Sequence, residues 1–247
     1  MAGFLLIHGA MHGGWCFDGV ARILRERGHT VAAPDLPGMG GDEATLRATT
    51  LAGWTDFALA ELRGLRQSIG DQPLVLAGHS RGGLNVTAAA EADPSAMDAL
   101  VYICALMPPD GMSGNALRAA LPRDEAMERF YASRMGGAGI TLTADDGIAL
   151  FAQASPRELA EAAMRRLVAE PAGPLDTVLR VSPGRWGRLP RTYVECLQDR
   201  TITIAQQRRI IELSPGTRVV TLDSDHSPFL CVPEALADVL EEAARAA

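Results

Sequence analysis

The 247-residue chain contains no lysine; all 23 of its basic residues are arginine. That absence excludes a Walker A phosphate loop, a Schiff-base lysine and a lysine general base, each of which needs an ammonium group at a fixed place. An excess of positive charge is missing too. The formal net charge is -7 and the pI about 5.3, so neither nucleic acid nor an anionic membrane is an expected partner. Cysteine is sparse: Cys16, Cys104, Cys196 and Cys231 lie far apart with no C-x-x-C pair. They read as small buried apolar residues, not as a disulfide frame or a zinc site. No apolar run approaches the roughly 20 residues of a membrane helix. The run Phe4-Leu5-Leu6-Ile7 is too short for the core of a signal peptide. A soluble, cytoplasmic protein without metal or cofactor is the expectation.

What is present is the composition of a folded domain. Hydrophobic residues make up 47% and charged residues 21%, outside the low-hydrophobicity, high-charge range of disordered chains. A chain of this length buries roughly 70–75% of its unfolded surface and needs no staple. Six short apolar runs recur: Phe4 to Ile7, Thr30 to Ala33, Leu74 to Ala77, Leu100 to Ile103, Thr192 to Val194 and Arg218 to Leu222. Most lack polar alternation, the pattern of strands covered on both faces. Amphipathic stretches follow most of them: Trp15 to Arg27, Leu51 to Ile69, Ala205 to Leu213 and Glu234 to Ala244. The expected fold is α/β, a mostly parallel six-stranded doubly wound sheet. The rhythm breaks from Met107 to Gly187, a stretch rich in proline and glycine with helical pieces at Pro122 to Arg134 and Pro156 to Val168. Residues 107–187 are expected to be an insertion into a core made of 1–106 and 188–247.

The chemistry-bearing motif is Gly78-His79-Ser80-Arg81-Gly82, between the run Leu74 to Ala77 and a helical stretch that begins at Leu84. This is G-x-S-x-G in its strand–turn–helix setting, the nucleophile elbow. The turn is so sharp that side chains two residues from the serine would collide, and glycine has no Cβ to do so. A tetrahedral intermediate needs two converging N–H donors. One is expected from Arg81, directly after the serine; the best candidate for the other is Ala10, in the loop after the first run. Serine also needs a base. His8, His12 and His79 sit on these two loops and His29 opens a strand, which leaves His226, just past the last run. Direct proton transfer by His8 or His12 is the lesser alternative. The carboxylate that orients His226 is expected at Asp199, with Glu195 as rival. Asp223 and Asp225 are too close in sequence to reach the far ring nitrogen and are expected to shape the turn around His226.

The order Ser80, Asp199, His226 resembles that of the α/β-hydrolase superfamily. More narrowly, the chain resembles a small branch containing plant methylesterases, hydroxynitrile lyases and bacterial pyrethroid-hydrolase-like esterases. The residues that carry the likeness are His8 to Trp15, Asp35-Leu36-Pro37-Gly38-Met39-Gly40, the elbow, Tyr193 to Asp199, and Asp225-His226-Ser227-Pro228-Phe229 with Pro233-Glu234. The resemblance implies that residues 107–187 form a helical cap over the site. Lyase members carry a threonine after the first loop histidine and a lysine after the catalytic histidine; here those positions hold Gly9 and Ser227. Arg81 replaces an apolar residue of many relatives and is read as half of a structural ion pair whose partner the sequence does not name. The resulting expectation is a cofactor-free serine esterase acting on a small-molecule ester with an apolar group. Its cap methionines, Met107, Met112, Met127, Met135 and Met164, are read as core. Alternatives are a lyase or cyclase of a specialised metabolite, or a ligand-binding protein with vestigial hydrolase activity. A homodimer is left open.

Overall fold

A computed structural model describes residues 1–122, 134–135 and 137–247. The helix expected over 122–134, and Met127 within it, lie outside the described residues apart from the ends of that range, and the side chain of Met135 lies outside them too.

The six apolar runs are six strands: β1 (Gly3–Ile7), β2 (Thr30–Ala32), β3 (Leu74–His79), β4 (Ala99–Ile103), and, after residues 107–187, β8 (Arg191–Cys196) and β9 (Arg218–Leu222). They form one sheet in the order β2-β1-β3-β4-β8-β9, parallel throughout. β1 shows why its sequence is apolar without alternation. Leu5 and Ile7 enter the core on one face, and Phe4 and Leu6 enter the core on the other.

Helices α1 (Asp18–Glu26) and α2 (Glu43–Ala48) precede α3 (Leu51–Ile69) and α4 (Gly82–Ala92). α3 and α4 contribute to the first core layer, with Trp54, Leu62, Leu84 and Val86. The second layer is closed by α1 and the C-terminal helix Pro233–Arg245. The stretch expected to be helical from Trp15 begins as a 3-10 turn, Gly14–Phe17, before α1. α3 is capped at its start by Thr50, whose side chain accepts from the Gly53 N–H, and at its end by Gly70.

The chain lays β2 on one side of β1 and β3 on the other. Strand order therefore reverses at β1 and β3, and a crevice opens beyond their carboxyl ends. The loop 8–14 and the elbow after β3 both lie at that point.

Residues 107–187 contain α5 (Gly114–Ala120), α6 (Ala144–Phe151), α7 (Arg157–Met164) and α8 (Gly173–Asp176). They also contain a small antiparallel sheet, absent from the sequence expectation, made of β5 (Arg134–Met135), β6 (Gly139–Ile140) and β7 (Glu170–Pro171). Met11, on the loop after β1, packs in the same apolar cluster as Ile140, Phe151 and Met164 of this segment. After β8 come α9 (Ile204–Glu212), α10 (Pro228–Cys231) and α11 (Pro233–Arg245).

Candidate active site

The elbow has the geometry its glycines dictate. Ser80 has φ +53, a left-handed conformation that few non-glycine residues adopt. A Cβ at Gly78 would lie 2.6 Å from the Gly82 carbonyl oxygen, and one at Gly82 would lie 2.7 Å from that of Ile7. No larger residue fits either position without moving backbone. The Ser80 N–H donates to the Ile103 carbonyl at 3.0 Å, and its carbonyl accepts from Gly83 and Leu106. The strained residue is fixed on both sides.

The structure brings Ser80, His226 and Asp199 together. The Ser80 Oγ lies 2.9 Å from His226 Nε2, and His226 Nδ1 lies 2.6 Å from Asp199 Oδ2. A carboxylate can only accept, so Nδ1 carries the proton and Nε2 accepts from the serine hydroxyl. All three side chains are buried. Asp199 is held by four donors. Its Oδ1 accepts from the N–H groups of Thr201 (2.7 Å) and Ile202 (2.9 Å). Its Oδ2 accepts from Gln207 Nε2 (3.2 Å) as well as from the imidazole. Glu195, the rival carboxylate, points elsewhere and pairs with Arg208 and Thr221.

Asp225 shapes the turn as expected, accepting from the Ser227 N–H at 2.9 Å. It also accepts from the Ala154 N–H and the Ser155 hydroxyl, both at 2.9 Å, which ties the histidine loop to residues 154–155. Asp223 accepts from Gln198 Nε2 at 2.7 Å.

The other histidines serve the loops. His8 Nε2 accepts from the Leu36 N–H at 3.0 Å, so its Nδ1–H donates to the Gly9 carbonyl at 2.9 Å. Both nitrogens are committed to backbone, and burial pushes the ring's pKa down to about 3. His12 Nδ1–H donates to the Ala10 carbonyl at 2.7 Å, and burial lowers its pKa to about 4. His79 Nε2–H donates to the His226 carbonyl at 2.7 Å; burial keeps it well below the usual imidazole range. His29 pairs with Glu241 at the protein's edge.

The motif Asp35 to Gly40 has a comparable bracing role. Asp35 Oδ1 accepts from the Gly14 N–H at 2.7 Å, and the Leu36 N–H meets His8.

Ala10 and Arg81 line one cavity with Ser80. Its other walls are Met11, Leu106, Ile140, Leu175, Thr201 and Ile202, with Arg118 and Glu170 as charged members. The cavity has a volume of about 40 Å³. Met107 and Met164 belong to core clusters and Met112 packs against one, in line with the expectation that these methionines are core.

The partner of Arg81 is Glu170, a residue the sequence did not single out. Arg81 Nε meets Glu170 Oε1 at 2.6 Å, with both side chains almost fully buried (2% and 1% exposed). Burial raises the Glu170 carboxyl's pKa, and the Arg81 guanidinium pulls it back. Gln207 was also missed. It is a buried polar residue on α9, which the apolar periodicity of that helix gave no reason to suspect.

One trio has metal-ligand chemistry: among the described residues, His79, Cys104 and His226 have ligating atoms within 4.8 Å of one another. Both nitrogens of His226 are already bonded, and burial pushes the Cys104 thiol well above its usual range. This donor set fits packing better than ligation.

The sequence pattern of the alpha/beta hydrolase family matches residues 4–239. The chain belongs to the alpha/beta hydrolase family. Relatives of this hydrolase include methylesterase 2 of Arabidopsis thaliana, 30% identical over 96% of this chain and 94% of that protein. The pyrethroid hydrolase of Sphingobium wenxiniae is 31% identical over 98% of this chain and 87% of that protein. Among solved structures, a pyrethroid hydrolase from Sphingobium faniae superposes with a TM-score of 0.85 at 27% identity, covering 99% of this chain and 98% of that one. No helix among the described residues is long and apolar enough to cross a membrane.

Proposed function

We propose that this hydrolase is a serine esterase that cleaves carboxylic esters through an acyl-enzyme. The observation that carries the reading is the unbroken hydrogen-bonded chain from the Ser80 hydroxyl through His226 to Asp199. Ser80 Oγ attacks the ester carbonyl carbon and gives its proton to His226 Nε2. Asp199 holds the ring in the right tautomer and stabilises the imidazolium. The carbonyl oxygen, now negative, is met by the backbone N–H groups of Ala10 and Arg81. His226 returns the proton to the leaving alcohol oxygen as the carbon–oxygen bond breaks. Water, deprotonated by His226, then attacks the acyl-enzyme and releases the acid and Ser80.

Residues 1–106 and 188–247 act as the catalytic core, with 107–187 as the cap that walls the site. The substrate is a small-molecule ester with an apolar group, because Leu106, Ile140, Leu175 and Ile202 line the cavity around Ser80. The names of the esterase and methylesterase relatives support the reaction class. Two observations favour hydrolysis over the lyase alternative. Ser227 stands where a lyase carries lysine, and a Cβ at position 9 would lie 2.6 Å from His79 Nδ1, leaving no space for threonine.

Hydrolysis of p-nitrophenyl acetate and butyrate tests the proposal. The wild type is expected to turn over both, and Ser80→Ala to lose on the order of 10⁴-fold or more in kcat. Negligible turnover by the wild type, or a wild-type rate in Ser80→Ala, would refute it.

A further inference from the structure

The buried pair Arg81–Glu170 lies outside the reacting atoms, yet each member bonds the loop that carries Ala10. Arg81 Nη2 donates to the Gly9 carbonyl at 3.2 Å. Glu170 Oε2 accepts from the Met11 N–H at 2.9 Å. The ion pair thus grips the backbone on both sides of Ala10.

A peptide unit is planar and trans, so its C=O and N–H point in opposite directions. The Gly9 carbonyl and the Ala10 N–H belong to one such unit. Fixing the carbonyl on Arg81, with His8 Nδ1–H as a second donor at 2.9 Å, fixes where the Ala10 N–H points. The next unit, Ala10 C=O with Met11 N–H, is fixed by His12 at one end and Glu170 at the other. Met11 needs that hold. Its φ is +60, a strained conformation for a residue with a side chain. Its carbonyl is tethered as well, accepting from the Val168 N–H at 2.9 Å.

The guanidinium itself is located on three sides. It lies over the Trp54 ring at 4.2 Å from the centroid, contacts Glu170 at 2.6 Å and reaches Asn85 Oδ1 at 3.3 Å.

We propose that Arg81 and Glu170 are positioning residues that set the oxyanion hole. Arg81 supplies one donor from its own backbone N–H and, through its side chain, aims the other at Ala10. Glu170, on β7 of the insertion, completes the clamp. This inference rests on the reading of Ala10 and Arg81 as oxyanion donors. It has a consequence for rates: loss of one such donor costs about 10²–10³-fold, and a misplacement of about 1 Å about 10²-fold.

Removing one charge of a buried pair leaves the other uncompensated and threatens the fold, whereas removing both together is often tolerated. The test therefore uses the double variant Arg81→Met with Glu170→Met, and Arg81→Lys. Lysine keeps the charge beside Glu170 but lacks the planar fork that reaches Gly9 at the same time. Melting temperature reports folding, and p-nitrophenyl acetate kinetics report kcat and KM separately. The double variant is expected to lose about 100-fold in kcat and Arg81→Lys about 10-fold, with KM within about threefold of wild type. A merely structural pair would lower the melting temperature and leave kcat of the folded protein intact. Wild-type kcat in Arg81→Lys, or in a folded double variant, overturns the inference while leaving the esterase reading standing. A wild-type enzyme that does not hydrolyse the ester through Ser80 overturns both.

Discussion

At the scale of single residues, the site is governed by close approach. Gly9 faces the imidazole of His79, whose Nε2–H holds the His226 carbonyl at 2.7 Å. A Cβ at position 9 would meet His79 Nδ1 at 2.6 Å and Ser80 Cβ at 2.9 Å, and the ring it pushes is the one that braces His226. Gly9→Ala is therefore expected to cost about 1–3 kcal/mol of stability by overpacking. It should also lower kcat at least about tenfold, because the displaced His79 shifts His226 from Ser80. Unchanged ester kinetics in Gly9→Ala would show that His79 has slack. This scale was also where the sequence was most legible. The elbow is a steric rule confined to a few consecutive residues, so Ser80 could be located without the fold. Glu170 could not: its partner Arg81 lies on a different element, and a glutamate before Pro171 carries no mark of burial.

At the scale of elements, the loop between β8 and α9 is the least obvious part of the design. Asp199 is located by two N–H groups of its own turn and by Gln207, a side chain from the helix that follows. Gln207 also accepts from the Cys196 N–H at 3.0 Å and donates to the Ile202 carbonyl at 2.7 Å. One amide therefore stitches strand end, turn and helix. Gln207→Leu leaves several buried polar groups unpaired, at about 1–3 kcal/mol each for a group that water cannot reach. The expected result is a lower melting temperature together with a kcat reduced about tenfold and an unchanged KM, because Asp199 loses its rigid seat. A variant with full kcat would mean that the turn holds Asp199 unaided. The strands and main helices of the core were readable because they are long enough to show a period. The sheet β5-β6-β7 was not, since its strands have two residues each and no pattern can form over so short a span.

At the scale of the whole molecule, the doubly wound sheet gathers loops from β1, β3, β8 and β9 at one edge, and buried neutral histidines are part of that packing. His8 and His12 have pKa values lowered to about 3 and about 4 from 6.5, and His79 is lowered well below that value. The unfolded chain takes up these protons near pH 6.5, while the folded chain refuses them until far lower pH. Between about 6.5 and 4 the unfolded state binds more protons, so stability is complete above pH 6.5 and declines as the medium is acidified. Glu170, raised by burial, acts in the opposite sense, one group against three. The melting temperature is expected to fall by about 10 °C or more from pH 7.5 to 4.5; a flat profile would contradict the neutral assignment. The order of the chemistry-bearing loops along the chain, and hence the overall architecture, was legible because topology places them all beyond the strands' carboxyl ends. The most direct test of the account is covalent. The protein is treated with a fluorophosphonate at neutral pH, digested, and mapped by mass spectrometry. The account predicts one adduct, on Ser80, strongly slowed when His226 is replaced by alanine; an adduct on another residue, or none, would contradict it.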